Sequence, residues 1–254
     1  MLLSQSSTNC VFLIYYLKYL KIMKTKLFFT FLIGSFISQS ISSQSMEDLS
    51  QSFKDFFKEK PLFEKYADSA VNAAALVERQ DLKYQVNTST PFSGRFISYE
   101  DEFGFCVLEA GSYKKGLLHG PFEAYEGCGV AYSYKTAYKN GVEHGTYIEY
   151  DEGYLFMEGE MVNGLAEGKW TGYEYGLVSW TEDVKNDITM SLTEFYYYDN
   201  GQISELWKYN GSEELHGVSE EYHQNGQLKS KVEYKNGELL RVIEEYDFNG
   251  NPLN

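Results

Sequence analysis

The chain has 254 residues, and its 37 acidic against 22 basic side chains give a formal net charge of −15. Its hydrophobic fraction of 43% excludes a disordered acidic tail, and its length allows one or two folded domains. The excess of acid argues against nucleic-acid binding, because such proteins need a basic surface. With 23 tyrosines and 22 glycines beside only 4 prolines, the composition is typical of strands and turns.

Residues 1–43 contain no acidic side chain and two apolar runs, 11–20 and 27–37. Read from Met23, two lysines precede the second run, and small polar residues follow it over 38–43, which is the layout of a secretory signal peptide. Each run is shorter than the roughly 20 residues that span a bilayer. A membrane anchor built from both runs is the alternative, which the four lysines among them disfavour. We therefore predict a signal peptide over 1–43, starting at Met1 or Met23, an exported protein, and no stable membrane span after cleavage.

The segment 44–89 has apolar residues at helical spacing. Ser45 and Asp48 resemble a capping box, and Pro61 separates a first amphipathic stretch from a second that extends to Val77. The apolar positions are Leu49, Phe53, Phe56 and Phe57 in the first stretch, and Phe63, Tyr66, Ala70, Val71, Ala74 and Val77 in the second. The spacing predicts two helices that cap one end or face of the body that follows.

The body, residues 90–254, is a repeat with a period of about 24 residues. Its units open at Gly94, Gly120, Gly145, Gly168, Leu192, Gly217 and Arg241. Five residues after each opener stands a tyrosine, and in the fifth unit Tyr198 is available beside Tyr197 because the preceding aromatic residue is shifted by one. The tyrosines that we predict to line a binding surface are Tyr99, Tyr125, Tyr150, Tyr173, Tyr198, Tyr222 and Tyr246.

Asn-Gly dipeptides separate the alternating apolar runs within this body. They begin at Asn140, Asn163, Asn200, Asn210, Asn225, Asn236 and Asn249. Asn-Gly between such runs indicates a two-residue hairpin turn, because both central residues of a type I′ turn need positive φ. The fold class that follows is mainly β: an elongated single-layer antiparallel meander of repeated β-hairpins, with about 13 strands and a short N-terminal helical segment.

The run 138–150, with its Lys-Asn-Gly and His-Gly steps, resembles the MORN repeat and its bacterial variant, as do 113–122 and 194–237. The resemblance covers roughly residues 94–254. The variant family, the YwqK-like proteins, is often described as the antitoxin component of bacterial toxin–antitoxin modules. The resemblance implies a β-hairpin array that binds a partner rather than an enzyme, although an exported protein departs from a cytoplasmic antitoxin.

The histidines and acidic clusters are candidates for metal binding or catalysis, but their positions in the repeat explain them better. His119, His144 and His216 share one repeat position, which places them two strands apart, about 9–10 Å, too far to share an ion. The acidic clusters have neither calcium-loop nor paired-acid spacing, and the chain has no nucleophile elbow, phosphate loop or dinucleotide motif. We therefore predict no catalytic residue, no metal site and no cofactor.

Export leaves Cys106 and Cys128 as the cysteines of the mature chain, and an oxidising compartment favours a disulfide between them. A pairing of Tyr113 with Pro121 or Phe122 would place the two cysteines opposite each other. Two separate buried thiols are the alternative, because Gly127 and Gly129 can bend the strand.

The tyrosine column has two interpretations that are compatible with each other. In a single-layer sheet, stacked rings must supply the packing, and an exposed row of rings can also bind a protein or a glycan. We expect an exported, non-enzymatic scaffold with a protein partner, antitoxin-like by resemblance. The alternative is a cell-envelope module that binds glycan or peptidoglycan through its aromatic face.

Overall fold

The computed structural model describes residues 60–101, 104–129 and 131–253. The predicted signal peptide and the first predicted helix lie outside these ranges and stay predictions. The described chain is mainly β, and the predicted meander is confirmed. One sheet contains 16 of the strands. Its path from Gly94 to Glu245 is antiparallel throughout and contains the 13 strands expected from the repeat.

The elements before the repeat are α1 (Leu62–Tyr66), β1 (Val71–Asn72), a 3-10 turn (Ala73–Ala75), β2 (Leu76–Arg79) and β3 (Leu82–Gln85). The first two repeat units comprise β4 (Gly94–Tyr99), β5 (Val107–Lys114), β6 (Leu117–Leu118), β7 (Gly120–Glu126), β8 (Ala131–Lys139) and β9 (Val142–Glu143). Units three to five comprise β10 (Gly145–Asp151), β11 (Tyr154–Val162), β12 (Leu165–Glu174), β13 (Leu177–Lys185), β14 (Ile188–Tyr197) and β15 (Ile203–Asn210). The sixth unit is β16 (Gly217–Tyr222) with β17 (Leu228–Lys235), and β18 (Glu238–Glu245) opens the seventh. The strands of the large sheet follow the order β1-β4-β5-β7-β8-β10-β11-β12-β13-β14-β15-β16-β17-β18, and the short strands β6 and β9 pair with β5 and β8.

The second predicted helix is wrong beyond Tyr66. The chain leaves α1 through a turn, and Val71 and Asn72 pair in parallel with Phe96 and Ile97 on the outer edge of β4. β2 and β3 then form a separate two-stranded hairpin whose turn residues, Gln80 and Asp81, both have positive φ. Helical spacing failed here because hydrogen bonding to an open sheet edge outweighed local propensity.

This N-terminal segment packs on both faces of the first two units. Leu62 and Tyr66 join Ile97, Val107, Ala110 and Tyr125 in one buried cluster, while Val71, Ala73 and Leu76 pack against Phe96, Phe122 and Ala124 in another. Glu123 connects the helix to the sheet, since its buried carboxylate accepts a hydrogen bond of 2.7 Å from the Leu62 backbone N–H. That contact satisfies a first-turn donor for which Pro61, the N-cap residue, offers no side-chain partner.

The Asn-Gly hairpin turns differ in their backbone conformation. Asn140, Asn163 and Asn236 have positive φ together with the glycine that follows, as predicted for type I′ turns. The prediction is wrong at Asn200, Asn225 and Asn249, where only the glycine has positive φ, and at Asn210, where neither residue does. At Asn200 and Asn225 the side chain instead accepts the backbone N–H two residues later and donates to a carbonyl of the next hairpin tip.

A β-bulge recurs at the same place in six successive units, directly opposite the step into the repeat tyrosine. At each one the partner strand contributes an extra residue, so that two residues face one. The extra residues are Leu108, Ser133, Phe156, Ser179, Ser204 and Lys229. The bulge turns Leu108 and Phe156 outward, which explains why these large apolar side chains are exposed.

Candidate interaction surface

The register assigns the two columns of aromatic residues to opposite faces of the sheet. Directly opposed residues share a face, and the pairs link Ile97, Ala110, Glu123, Lys135, Ile148 and Glu158 into one continuous row. The repeat tyrosines lie two residues beyond this row on the same strands, so they occupy one face, which we call the tyrosine face. The other side, the tryptophan face, carries Phe96, Phe122, Tyr147, Trp170, Trp180 and Trp207.

The tyrosine column contains Tyr197 rather than Tyr198 in the fifth unit. The bulge register pairs Tyr197 with Ile203, as Tyr222 pairs with Leu228 in the sixth unit. Tyr198 lies one residue later, and its hydroxyl donates to the Tyr222 carbonyl of the next hairpin. The choice of Tyr198 was therefore wrong as a register assignment. The shifted Phe195 suggested a slip, but the strand keeps its register.

Glutamates accept hydrogen bonds from the hydroxyl groups of several tyrosines of the column, a feature that the sequence reasoning missed. Tyr125 donates to Glu123 at 2.5 Å and Tyr222 to Glu220 at 2.6 Å, both within the same strand. Tyr173 donates instead across the sheet to Glu158 at 2.6 Å. Burial and the hydrogen bond to the carboxylate raise the pKa of Tyr173 and of Tyr222 to about 12. The recurring Glu-x-Tyr spacing was the available signal, because residues two apart on a strand share a face.

A lysine already occupies this face between the rings of the second and third units. Lys135 Nζ lies 3.6 Å from the ring centre of Tyr132 and 5.9 Å from that of Tyr150. The same ammonium group is 4.0 Å from the Glu123 carboxylate. Two tyrosine rings and a carboxylate therefore surround one cation. The arrangement combines a cation–π contact with an ion pair, and burial strengthens both.

The tryptophan face packs by alternating large and small residues on neighbouring strands. The pairs in its main row place Gly111 between Phe96 and Phe122, and Gly159 between Tyr147 and Trp170. A Cβ atom at Gly111 would lie 3.0 Å from both phenylalanine rings, and one at Gly159 would overlap the Trp170 ring. Rings that lie flat over glycine backbone thus give a one-layer sheet a buried interior without a second layer.

The histidine column links one unit to the next. Nδ1 of His119, His144 and His216 accepts the backbone N–H of Asn140, Asn163 and Asn236, at 3.3 to 3.4 Å. In the fourth unit Glu167 takes the same position and accepts the N–H of Asn186. The column therefore links each turn to the preceding unit by a hydrogen bond. This geometry fits the interpretation of the histidines as structural residues of the repeat.

Cys106 and Cys128 are joined by a disulfide in the structure. The register that led to this pair was nevertheless wrong: Tyr113 pairs with Leu118, and Ala110 pairs with Glu123. Cys128 lies in the turn after β7 with positive φ, so the bond joins two hairpin tips rather than opposed strand residues. A carboxylate of Glu100 approaches the pair and completes a group of three potential metal ligands, but bonded sulfurs offer no thiolate to an ion.

Exposed aromatic side chains concentrate at the hairpin tips beside the tyrosine face. Tyr154 and Tyr175 are 76% and 96% exposed at the tips of the third and fourth units. Each lies a few residues after a tyrosine of the column, Tyr150 or Tyr173. Tyr154 pairs with Asp151, the residue after Tyr150, so these tips add exposed rings at the edge of the array rather than extending the column itself.

No helix within the described part of the chain has the length and apolar character needed to cross a membrane. No protein-family model matches the chain, and no curated protein matches it either.

Proposed function

We propose that the chain is an exported, non-enzymatic repeat scaffold that binds a protein partner through its tyrosine face. The observation that carries the proposal is the column of mostly half-buried tyrosines, four of which donate their hydroxyl groups to glutamates. Rigid aromatic rings offer a large contact area at little entropic cost, and tyrosine is enriched at the centres of protein interfaces. Fixed hydroxyl groups reduce that cost further, because they are ordered before a partner arrives.

The resemblance to the MORN variant family adds an antitoxin-like role to this proposal. The role would make the partner a toxic protein, and the repeat would present an array of equivalent sites along one face. The signal-peptide pattern adds export to the periplasm, the cell envelope or the extracellular space. Fractionation of producing cells tests the export: we expect a mature form that begins near Gln44 outside the cytoplasm, and a full-length cytoplasmic product would contradict it.

Affinity capture with face-specific variants tests the binding proposal. The variant Tyr150→Ser/Tyr173→Ser alters the tyrosine face, and Tyr196→Ser, on the tryptophan face and 47% exposed, is the matched control. We expect a protein that the wild type and the control retain and that the tyrosine-face variant loses. Circular dichroism must show that both variants are folded. Equal retention by all three proteins would contradict a role for this face.

A second candidate, a glycan-binding module, draws support from the tryptophan face. Trp180 and Trp207 both pair with Glu194, which places the two rings two strands apart, about 10 Å, with a carboxylate between them. Trp207 also donates its indole N–H to Glu205 at 2.7 Å. Half-buried rings beside ordered carboxylates can stack on sugar rings and bind their hydroxyl groups. Retention on peptidoglycan or polysaccharide that Trp207→Ala abolishes would favour this candidate.

A further inference from the structure

The third unit of the array is acidic without compensation. Between Lys139 and Lys169 the sequence contains no lysine or arginine. The same stretch contains seven acidic residues: Glu143, Glu149, Asp151, Glu152, Glu158, Glu160 and Glu167. In contrast, the sixth and seventh units contain ion pairs of their own, among them Lys231–Glu220 and Arg241–Glu233. The middle of the sheet is thus the part of the array that most favours a cationic partner.

On the tyrosine face, a glutamate of this unit replaces a lysine. Lys135 pairs with Glu123 in the second unit, and Lys231 pairs with Glu220 in the sixth. The residue at the same repeat position in the third unit is Glu158, which pairs with Ile148. The third unit thus has a carboxylate where the second and sixth units have a cation, and the column tyrosines lie on both sides of it.

Glu158 lies beside two tyrosines of the column. The position of Tyr132, the ring nearest to Lys135, is taken by Leu155 in this unit. Tyr173 donates its hydroxyl to Glu158, and Tyr150 is close enough that the Glu158 charge contributes to raising its pKa, after burial and Glu123. All three side chains are partly exposed. Among the described residues, the helix α1 covers the tyrosine face over the first two units, where Phe63 packs edge-on against Tyr125.

We propose that Tyr150, Glu158 and Tyr173 form a docking site for a lysine or arginine side chain from a basic segment of the protein partner. The inference rests on the proposed function and assigns the partner's chemistry at one point of the tyrosine face. The chain contains its own example of the interaction, because Lys135 sits over two tyrosine rings and beside a carboxylate one unit away. The incoming cation would pair with Glu158 and lie against the ring of Tyr150 or Tyr173. The uncompensated acids around the site would attract it over a distance of about one Debye length.

Labelled decalysine tests the site directly, with decaglutamate as the negative probe. Glu158→Lys places in the third unit the residue that the second and sixth units already contain, so we expect the fold to tolerate it. Glu158→Gln retains an acceptor for the Tyr173 hydroxyl but removes the charge. The matched control is Glu238→Lys, which makes the same change of charge at an exposed position of β18 at the far end of the array.

We expect decalysine to bind the wild-type chain at an ionic strength of about 0.1 M, where the Debye length is about 10 Å. Glu158→Lys should weaken that binding about tenfold or more. Glu158→Gln should weaken it less, and Glu238→Lys should change it by less than about twofold because screening isolates distant charges. No binding of decalysine, or equal losses in Glu158→Lys and Glu238→Lys, would overturn the site.

The capture experiment keeps this inference distinct from the proposed function. A protein partner that is lost by the tyrosine-face variant but retained by Glu158→Lys would leave the scaffold role intact and refute the cation site. If the wild type, the tyrosine-face variant and the Tyr196→Ser control retain the same proteins equally, and the chain does not bind decalysine, both proposals fail.

Discussion

Units one to four and units five to seven solve the same packing problem in different ways. In the first group an aromatic residue stands two positions after each opener, at Phe96, Phe122, Tyr147 and Trp170. In the second group the equivalent residues are Glu194, Ser219 and Ile243. The hydrophobic residues that the structure buries all lie at or before Val184, whereas Ser219 is the residue it buries in the later units. One repeat thus supports both an aromatic interior and a polar one.

Polar links replace the missing rings in the later units. Three of the ion pairs, Lys229–Glu221, Lys231–Glu220 and Arg241–Glu233, join neighbouring strands of β16, β17 and β18. Asn200 and Asn225 connect consecutive hairpin tips by side-chain hydrogen bonds. Since exposed ion pairs contribute little and buried rings contribute much, the first group should hold most of the stability of the array.

The largest expected effect is that of removing a buried ring from the first group. Phe122→Ala should lower the free energy of unfolding by about 3–5 kcal/mol, because Phe122 is 5% exposed and contacts Phe96, Tyr134 and Tyr138. Val232→Ala, in the corresponding row of the sixth unit, should cost no more than about 1.5 kcal/mol. Chemical denaturation of both variants measures the difference. Equal losses would show that the two groups do not differ in packing.

Reducing the disulfide should have the next largest effect. The bond between Cys106 and Cys128 closes a loop with a sequence separation of 22, worth about 3 kcal/mol in the chain-entropy model. The corresponding tip of the sixth unit is fastened by Asn225, and Asn225→Ala should cost about 1 kcal/mol. Denaturation with and without reductant, beside the Cys106→Ala/Cys128→Ala variant, tests the ranking. If mass spectrometry of the oxidised chain found two free thiols, the Cys106–Cys128 bond on which this prediction rests would be contradicted.

A methyl group at Gly159 tests how the rings pack. Its Cβ would overlap the Trp170 ring, and Gly159→Ala should therefore destabilise the chain by about 1–3 kcal/mol. In a Trp170→Leu background the smaller side chain leaves room, so the added cost of Gly159→Ala should fall. A double-mutant cycle measures this coupling. Independent, additive losses would mean that the ring and the glycine do not share a packing site.

The meander could be predicted from the sequence because the residues that indicate it recur in every unit or in most units. Seven tyrosines in one register position, together with Asn-Gly turns, fixed the hairpin unit and the number of strands. Segments that occur once were less predictable. The helical spacing up to Val77 gave no sign that Val71 would pair with the edge of β4, which depends on a strand that begins at Gly94.

The candidate site was predictable only as a column of side chains. The spacing of the sequence located the tyrosines. The recurring bulge depends on how two strands pair, which the sequence of one strand does not determine. The choice between Tyr197 and Tyr198 depended on the register that this bulge sets. Lys135 and Glu158 occupy equivalent positions of the second and third units, and this equivalence can be recognised only from the register of the second strand of each unit. The predicted pairing of the strands that carry the disulfide was wrong for the same reason, because it was inferred from the position of the turn and not from the strand register.

The smallest expected effect concerns the ion pairs that distinguish the later units, and it depends on pH. Burial opposes ionisation of Glu220, but hydrogen bonds from Lys231 and Tyr222 and the charge of Lys231 together lower its pKa below the usual value. A carboxylate whose pKa is lower in the folded than in the unfolded chain contributes stability above its unfolded pKa, and that contribution disappears as the pH falls through the folded pKa.

The variant Glu220→Gln should therefore lose less than about 1 kcal/mol at neutral pH, because solvent screens this partly exposed pair, and almost nothing in acid. The stability difference between wild type and variant should thus shrink as the pH falls. Glu238→Gln, at an exposed position of β18, is the matched control and should show no such change. Urea denaturation at neutral and acidic pH measures both. A gap that stays constant on acidification would mean that the Glu220 charge does not stabilise these units, and that their polar links contribute through neutral hydrogen bonds.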